Sequence, residues 1–353
     1  MSTNEGAECV LLRPSSQPGE SSSTLSRGVG QGALLRLKPG VFVERRVWEC
    51  VPLWIKHRAA AAAVALSAPS AVLCRETAMA IYGVPLLRVP REVQLRTLSR
   101  GMVGRSRIAV PSTGTAVRFP VRRIDPPVPR GFTASDAREA HRAGKGAVRP
   151  VRAEVPGVLL SDGYRPMVAV EPLPFVLIDT LPRMSFESAV VALDAALAGR
   201  YSYRLMVRHR HLKAVEEWLW SSSAQSSWHS VLSFSDPRSE SPGESRSRVI
   251  IDQLGFASPV LQRVVAFPCG RRRRLDFDWH DDGVIGEFDG ELKYQAEGTG
   301  VLQSGASAYW EEKWREDEIE ELTGKRFVRW RWADLDDPRR LERKLLLKGV
   351  SKR

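Results

Sequence analysis

Two short acidic runs late in the chain carry side chains that could hold a metal ion. The first is Leu275-Asp276-Phe277-Asp278-Trp279, and the second is Gly286-Glu287-Phe288-Asp289-Gly290-Glu291-Leu292-Lys293-Tyr294. Both alternate with a period of two, which is typical of strands with two different faces. One face is apolar, and the other carries Asp276, Asp278, Glu287, Asp289 and Lys293. Metal-assisted phosphodiester cleavage requires such carboxylates, together with a cation close to the phosphate.

The residues between the two runs predict how the strands pair. Asp282-Gly283 is a strong signal for a hairpin turn. A two-residue loop pairs Phe277 with Phe288, Asp278 with Glu287, and Asp276 with Asp289, which places the carboxylates roughly 5 Å apart at Cβ. A four-residue loop keeps the same facing, and a three-residue loop breaks it. A divalent cation, the nearby Lys293 or raised pKa values would relieve the repulsion. The alternative is a solvated polar face on an ordinary hairpin.

The length and charge of the chain limit the class of protein to which it can belong. A chain of 353 residues suggests two or three domains. A formal net charge of +12 indicates a polyanionic partner, with DNA favoured over a membrane. Residues 88–152 hold fifteen Lys and Arg against four Asp and Glu, so this segment either follows a phosphate backbone or is a solvated basic surface. Four scattered cysteines and the lack of a long apolar run predict a cytoplasmic protein with reduced thiols and no membrane partner.

Composition divides the first two thirds of the chain into four segments. Residues 1–32 are rich in Ser, Gly and Pro, and are predicted to be a disordered tail. Residues 33–100 combine two strands around Pro39-Gly40 with two helices and a later strand, which fits a winged-helix-like DNA-binding module. Residues 101–220 are predicted to be a basic α+β middle region. The Ser-rich run in 221–239 predicts a linker.

The C-terminal segment, 240–350, has the clearest element signals. Ser241-Pro242 predicts the start of a helix, and Gly255 lies where a helix would end. On that helix Glu244 either pairs with Arg248 or faces a site. After a strand at 264–267, the two acidic strands follow, and then a helix over 307–323 that places Arg315 on its inward face. A strand at 327–332 and a last helix to Gly349 complete the predicted order α-β-β-β-α-β-α.

This pattern resembles the PD-(D/E)XK nuclease superfamily, and in particular its very-short-patch-repair-like branch, in which an Asp on one strand is followed by Glu-x-Asp-Gly on the next. Residues 33–348 also resemble actinobacterial proteins that join an AbiEi-type antitoxin winged helix to such a domain. The motifs that carry this likeness include Leu37-Lys38-Pro39-Gly40-Val41-Phe42-Val43, Ser239-Glu240-Ser241-Pro242-Gly243-Glu244-Ser245-Arg246, Gly286-Glu287-Phe288-Asp289-Gly290, Glu312-Lys313-Trp314-Arg315-Glu316-Asp317 and Val328-Arg329-Trp330-Arg331-Trp332.

The resemblance implies a restriction-endonuclease-like C-terminal domain and a role for each acidic residue. Asp276, Glu287 and Asp289 would hold Mg²⁺ or Mn²⁺, with Asp289 where the superfamily usually has its catalytic lysine. Lys293 could supply the displaced cation, although Glu291-Leu292-Lys293 is itself an E-x-K triplet and offers a second register. Glu244 would match the acidic residue that some members carry on the first helix, and Arg315 would contact phosphate or anchor the carboxylates.

Two functions from different classes follow from these expectations. The first is a DNA-directed, Mg²⁺-dependent endonuclease, in which the run Arg271, Arg272, Arg273 and Arg274 lies beside the phosphate backbone. The second is a non-catalytic, antitoxin-like transcriptional regulator of a type IV toxin–antitoxin system that keeps the nuclease fold. A toxin or another regulatory protein would then be a further partner.

Overall fold

The computed structural model describes residues 8–15, 19, 21–106, 119–144, 148–199, 207–266, 270, 272–290, 321 and 323–353. The chain divides into two compact units, one within Thr3–Ser233 and the other formed by Phe234–Arg353. Both combine helices with sheets, so the predicted α+β class is confirmed. No helix in the described ranges has the length and apolar character needed to cross a membrane.

The first unit holds ten strands and most of nine helices among its described residues. The strands are β1 Cys9–Leu12, β2 Leu34–Lys38, β3 Val41–Glu44, β4 Val72–Leu73, β5 Val93–Arg96, β6 Gly104–Ser106, β7 Val121–Ile124, β8 Val151–Glu154, β9 Val158–Leu160 and β10 Met167–Val170. The helices are α1 Ser22–Gly30, α2 Arg45–Cys50, α3 Leu53–Ser67, α4 Arg75–Ile81, α5 Ala134–Ala143, α6 Leu173–Thr180, α7 Phe186–Ala198, α8 His209–Lys213 and α9 Ser222–Phe234, the last of which reaches the boundary between the units.

These strands form two sheets, with the orders β2-β3-β1-β9 and β6-β7-β5-β4-β10-β8. The predicted hairpin around Pro39-Gly40 is present as β2 and β3, and Gly40 has a left-handed φ of 74° at its turn. Strand β5 pairs with β7, and β4 pairs with β10. The segments 33–100 and 101–220 therefore share one sheet, so the change in composition near residue 100 does not mark a boundary in the fold.

The predicted disorder of residues 1–32 is wrong for their described part. Strand β1 lies between β3 and β9, where Leu11 pairs with Val43 on one side and with Leu160 on the other. Cys9 and Leu11 are fully buried, and Leu25 of α1 is buried as well. The burial of these few apolar side chains stabilises a segment whose average composition is typical of disorder.

The predicted linker at 221–239 is also wrong, because most of it is helix α9. The Ser221 hydroxyl accepts a hydrogen bond from the backbone N–H of Ala224 and caps the first turn. Ala224, Trp228 and Val231 lie on one stripe of the helix and are buried. The indole N–H of Trp228 donates to Glu216 at 3.0 Å. Packing of one stripe therefore outweighs the weak helix propensity of serine.

The second unit is a four-stranded sheet with helices. Its elements are α10 Pro242–Gln253, β11 Val260–Ala266, β12 Arg272–Trp279, β13 Val284–Phe288, β14 Arg326–Trp330, α11 Trp332–Asp336 and α12 Pro338–Lys348. The strand order is β11-β12-β13-β14, antiparallel except for the parallel pair β13 and β14. The predicted order of elements is confirmed except for the helix at 307–323, which lies almost entirely outside the described residues.

The core of this unit lies on one face of the sheet. Phe277, Trp279 and Trp330 are buried there, in one cluster with residues of α10 and α12. Gly286 makes this packing possible, because a Cβ atom at that position would lie 2.6 Å from the Trp330 ring. Period two predicts that Leu275 shares this face with Phe277. Instead, Leu275 packs with Ile285 and Phe327 in a separate small cluster. The alternation is therefore interrupted near Asp276.

Candidate functional site

The register of β12 and β13 differs from the predicted one by two residues. The pairs are Phe277 with Gly286, Asp278 with Ile285, and Trp279 with Val284, so the predicted pairing of Phe277 with Phe288 is wrong. The loop spans four residues, 280–283, and ends at Gly283 with a left-handed φ of 60°. Continued by one residue beyond the last pair, this register would set Asp276 opposite Glu287 instead of opposite Asp289.

Asp278 does not belong to the candidate site. Its carboxylate is fully buried and accepts hydrogen bonds from Arg263, at 2.5 Å, and from Lys325. Both of these cations also lie within hydrogen-bond distance of the His280 ring, in the hairpin loop. An acidic side chain with two cationic partners is satisfied by the fold alone, so Asp278 anchors the base of the hairpin.

Glu244 faces the sheet from the first turn of α10. The Ser241 hydroxyl accepts from the backbone N–H of Glu244 at 3.1 Å and donates to its carboxylate at 2.8 Å. The backbone N–H of Glu240 donates to the second carboxylate oxygen at 2.8 Å. Arg248, the alternative partner of Glu244, donates to the carbonyl of Phe234 at 2.6 Å. Glu244 is therefore held in place by the N-terminal turn of its own helix.

A glycine allows this turn to approach the end of β13. A Cβ atom on Gly243 would lie 1.9 Å from the ring of Phe288. The backbone N–H of Phe288 in turn donates to Asp276 at 3.2 Å. The first turn of α10 and the carboxylate of Asp276 thus meet at the same end of β13.

Gln262 joins the two acidic side chains. Its amide nitrogen donates to Glu244 at 2.9 Å and to Asp276 at 3.4 Å. Its backbone φ of 55° is unusual for a residue other than glycine, and it sits on β11 next to the point where the alternation of β12 is interrupted. A single glutamine in a strand carries no pattern, so the sequence gives no signal for this residue.

The two bridged carboxylates oppose each other's ionisation. Burial raises the pKa of Glu244 to about 7, and the nearby charge of Asp276 adds to the rise. Burial also raises the pKa of Asp276, together with Glu240, against the hydrogen bonds from Phe288 and Gln262 and the positive charge of Arg329. Glu244 and Asp276 are therefore two neighbouring carboxyl groups whose ionised forms are both disfavoured.

Glu287 pairs with an arginine of the neighbouring strand β14, and Asp289 pairs with an arginine just after the end of that strand. Arg329 lies beside Glu287 in the parallel ladder and donates to it at 3.0 Å. Arg331 lies 3.2 Å from the carboxylate of Asp289. The predicted trio of Asp276, Glu287 and Asp289 is not assembled as a ligand group, since no three His, Cys, Asp or Glu side chains in the described part of the chain are grouped to hold a metal. The shifted register is the reason, because it removes Asp289 from the position opposite Asp276.

The arginine run at the start of β12 is described in part. Arg272 and Arg274 are exposed, and Arg274 forms an ion pair with Glu240 at 2.7 Å. The Nε of Arg273 is buried without a hydrogen-bond partner among the described residues. Arg271, Lys293 and Arg315 lie outside the described residues, so their predicted roles stay predictions.

Comparison with protein-family models, with curated proteins and with solved structures found no match for this chain.

Changing Glu244 to Gln should alter how stability depends on pH. A carboxyl group whose pKa is raised in the folded state contributes its full stability below about 4.5 and loses it as the pH rises toward about 7. Without divalent cations, the wild type should therefore lose stability relative to Glu244→Gln over that range. Hydrogen exchange of β12 and β13 peptides in a urea series between pH 4 and 8 measures this difference.

The surface-exposed ion pair of Glu342 with Lys352 supplies the control. Glu342→Gln should show the pH dependence of the wild type, because an exposed pair contributes little. If the free energy of unfolding varied with pH in the same way in the wild type and in Glu244→Gln, Glu244 would ionise in the folded protein as it does in the unfolded chain.

Proposed function

We propose that the C-terminal unit binds a divalent cation through Asp276 and Glu287 and hydrolyses phosphodiester bonds in DNA. The observation that carries the proposal is the hydrogen-bonded pair of Glu244 from α10 and Asp276 from β12, which lies at the end of β13, the strand that carries Glu287. Gln262 links the first two, and Arg329 acts electrostatically on the last two. A sheet built for stability alone would not gather like charges in this way.

The donor set suits Mg²⁺ or Mn²⁺. Both ions prefer oxygen ligands, and Mg²⁺ is commonly held by one or two carboxylates, with water and substrate phosphate completing its shell. Asp276 and Glu287 would be those two carboxylates. When bound, such an ion would polarise a phosphoryl oxygen and lower the pKa of a bound water. Its charge would also oppose the rise in the pKa values of Glu244 and Asp276, which burial causes and neighbouring carboxylates increase.

The other residues of the site would position the reaction. Glu244, held by Ser241 and Gln262, would accept a hydrogen bond from the attacking water and orient it. The guanidinium of Arg329 lies against Glu287, one of the two proposed metal ligands. At that position it would stabilise negative charge that develops on the phosphate. Asp289, paired with Arg331, is assigned no catalytic role.

Nucleic acid as the substrate is supported by charge. The chain carries a net charge of +12, and Arg272 and Arg274 are exposed on the strand that leads to Asp276. Contacts to phosphate by such side chains supply affinity without sequence specificity, and they weaken with salt.

The ion pairs of the site favour a second candidate function, a DNA-binding regulator without catalysis. Arg329 and Arg331 already provide Glu287 and Asp289 with positive partners, which lets the sheet fold with these carboxylates charged and no metal bound. Such a protein would fit the antitoxin-like role that the sequence resemblance implies. It would bind DNA with the same dependence on salt and leave it intact.

A plasmid assay separates the two functions. Supercoiled plasmid, single-stranded DNA and mismatched duplex are incubated with the full chain in Mg²⁺, in Mn²⁺ and in EDTA. Nicking that requires either cation is the expected result. DNA binding without cleavage of any substrate would favour the regulator.

A further inference from the structure

A cavity of about 460 Å³ lies in the first unit, far along the sequence from the acidic site. Its volume is within the range of small-molecule binding sites. Part of its wall is apolar, with Leu95, Met102 and Val148, and hydroxyl groups of Ser70, Thr97 and Ser99 lie among these side chains. An apolar wall interrupted by a few polar groups is typical of sites that bind an organic ligand.

Two residues that line the cavity, Arg96 and Glu171, belong to a buried ion network. Arg96 donates to Glu171 at 2.6 and 2.9 Å and to Asp179 at 2.7 Å, and these side chains are at most 4% exposed. Arg75 and Arg183 supply further positive charge to Asp179. Because each carboxylate has an arginine, the network leaves no negative charge to repel an anion.

His141 on α5 adds a polar atom without a partner. Its Nδ1 lies 3.0 Å from the carbonyl of Ala137 and donates to it, since a carbonyl only accepts. Phe175 and Trp218 hold the ring edge to face, at 5.4 and 5.2 Å between centroids. Nε2 is buried with no hydrogen-bond partner, 3.7 Å from Glu171. Buried polar side-chain atoms without a partner are rare in folded proteins, and this one belongs to a residue that lines the cavity.

Two arginines complete the site. Arg123 and Arg142 line the cavity, and each makes one long hydrogen bond of 3.4 Å, to Ser106 and to the carbonyl of Leu98. Neither has an ion-pair partner within the described ranges. Their guanidinium groups are therefore available to a phosphate.

We propose that this cavity binds a phosphorylated nucleoside. The phosphate pairs with Arg123 and Arg142, the base lies against the apolar wall, and a ligand hydroxyl satisfies Nε2 of His141, because a hydroxyl can donate or accept. A free nucleoside monophosphate and the phosphorylated end of a DNA strand share this chemistry. The site does not depend on the proposed nuclease activity.

The test is calorimetric titration of the full chain in EDTA, so that it is independent of any metal site. The probes are adenosine 5′-monophosphate, adenosine, inorganic phosphate and a short single-stranded oligonucleotide with or without a 5′-phosphate. His141→Phe keeps a ring between Phe175 and Trp218 but removes the nitrogens. Arg142→Glu reverses an exposed charge and should not disturb folding, and Arg130→Glu, also exposed, is its matched control.

The nucleoside monophosphate or the 5′-phosphorylated oligonucleotide should bind, and His141→Phe and Arg142→Glu should each weaken binding about tenfold or more. Arg130→Glu should bind as the wild type does. Binding of the oligonucleotide alone would identify a strand end as the ligand. Failure of both phosphorylated probes to bind, or equal affinity in the wild type, His141→Phe and Arg142→Glu, would overturn the proposal.

Discussion

Supercoiled plasmid incubated with Glu287→Gln and Mg²⁺ should remain intact, whereas the wild type nicks it. The amide keeps the size of the side chain and can still accept a hydrogen bond from Arg329, which lies 3.0 Å from the carboxylate. It removes the charge that a divalent cation needs. We expect the cleavage rate to fall at least about a hundredfold, because even the outer partners of metal ligands contribute tenfold to a hundredfold.

Asp289→Asn is the matched control for this variant. Asp289 is two residues further along the chain and pairs with Arg331. The shifted strand register predicts that Asp289→Asn cleaves within a few-fold of the wild type. DNA binding and its dependence on salt should be nearly the same in all three proteins, since phosphate contacts by arginine and lysine supply it. Equal cleavage by the wild type and Glu287→Gln would remove Glu287 from the catalytic site.

Replacing Arg96 with Met should destabilise the first unit by about 3–5 kcal/mol, the usual cost of leaving a buried charge without its partner. Arg96 supplies both side-chain hydrogen bonds to Glu171, which is 1% exposed. Asp179 would keep Arg75 and Arg183, so most of the loss arises at Glu171. Urea unfolding, followed by hydrogen exchange of peptides from β5 and α6, measures the change.

The effect of this replacement should depend on pH. Burial alone would raise the pKa of Asp179, but the charges of Arg96 and Arg75 outweigh it and lower that pKa. A carboxylate of this kind stabilises the fold above its unfolded pKa and loses that contribution as the pH falls. The difference between Arg96→Met and the wild type should therefore shrink as the pH falls below about 3.8, the ordinary pKa of an aspartate.

Arg88→Met serves as the control, because Arg88 is exposed on the same unit. Its free energy of unfolding should stay within about 0.5 kcal/mol of the wild-type value. A similarly small change in Arg96→Met would mean that the network is solvated in solution.

Local signals in the sequence were sufficient to predict where many helices and strands begin and end. The cap at Ser241, proline at the next position and glycine at 255 predicted the start and end of α10, and Gly349 ends α12 with a left-handed φ of 82°. Period two predicted the two strands β12 and β13. These signals act over a few residues, so they can be read without knowing the tertiary structure.

Features that depend on distant partners could not be predicted in this way. The register of β12 and β13 depends on a four-residue loop and on packing of Gly286 against Trp330, not on Asp282-Gly283 alone. The side chain of Arg96 is buried because Glu171 and Asp179 pair with it from other elements. Gln262 and His141 carry no sequence pattern at all.

Diffraction from a crystal of the full chain soaked in Mn²⁺, with data collected at the manganese absorption edge, would show whether Asp276 and Glu287 hold a cation. We expect an anomalous peak bonded to carboxylate oxygens of both residues, at roughly 2.0–2.3 Å. The same crystal of Glu287→Gln should lose the peak. Manganese bound at other residues, or no peak while Asp276 and Glu287 point away from each other, would contradict the proposal.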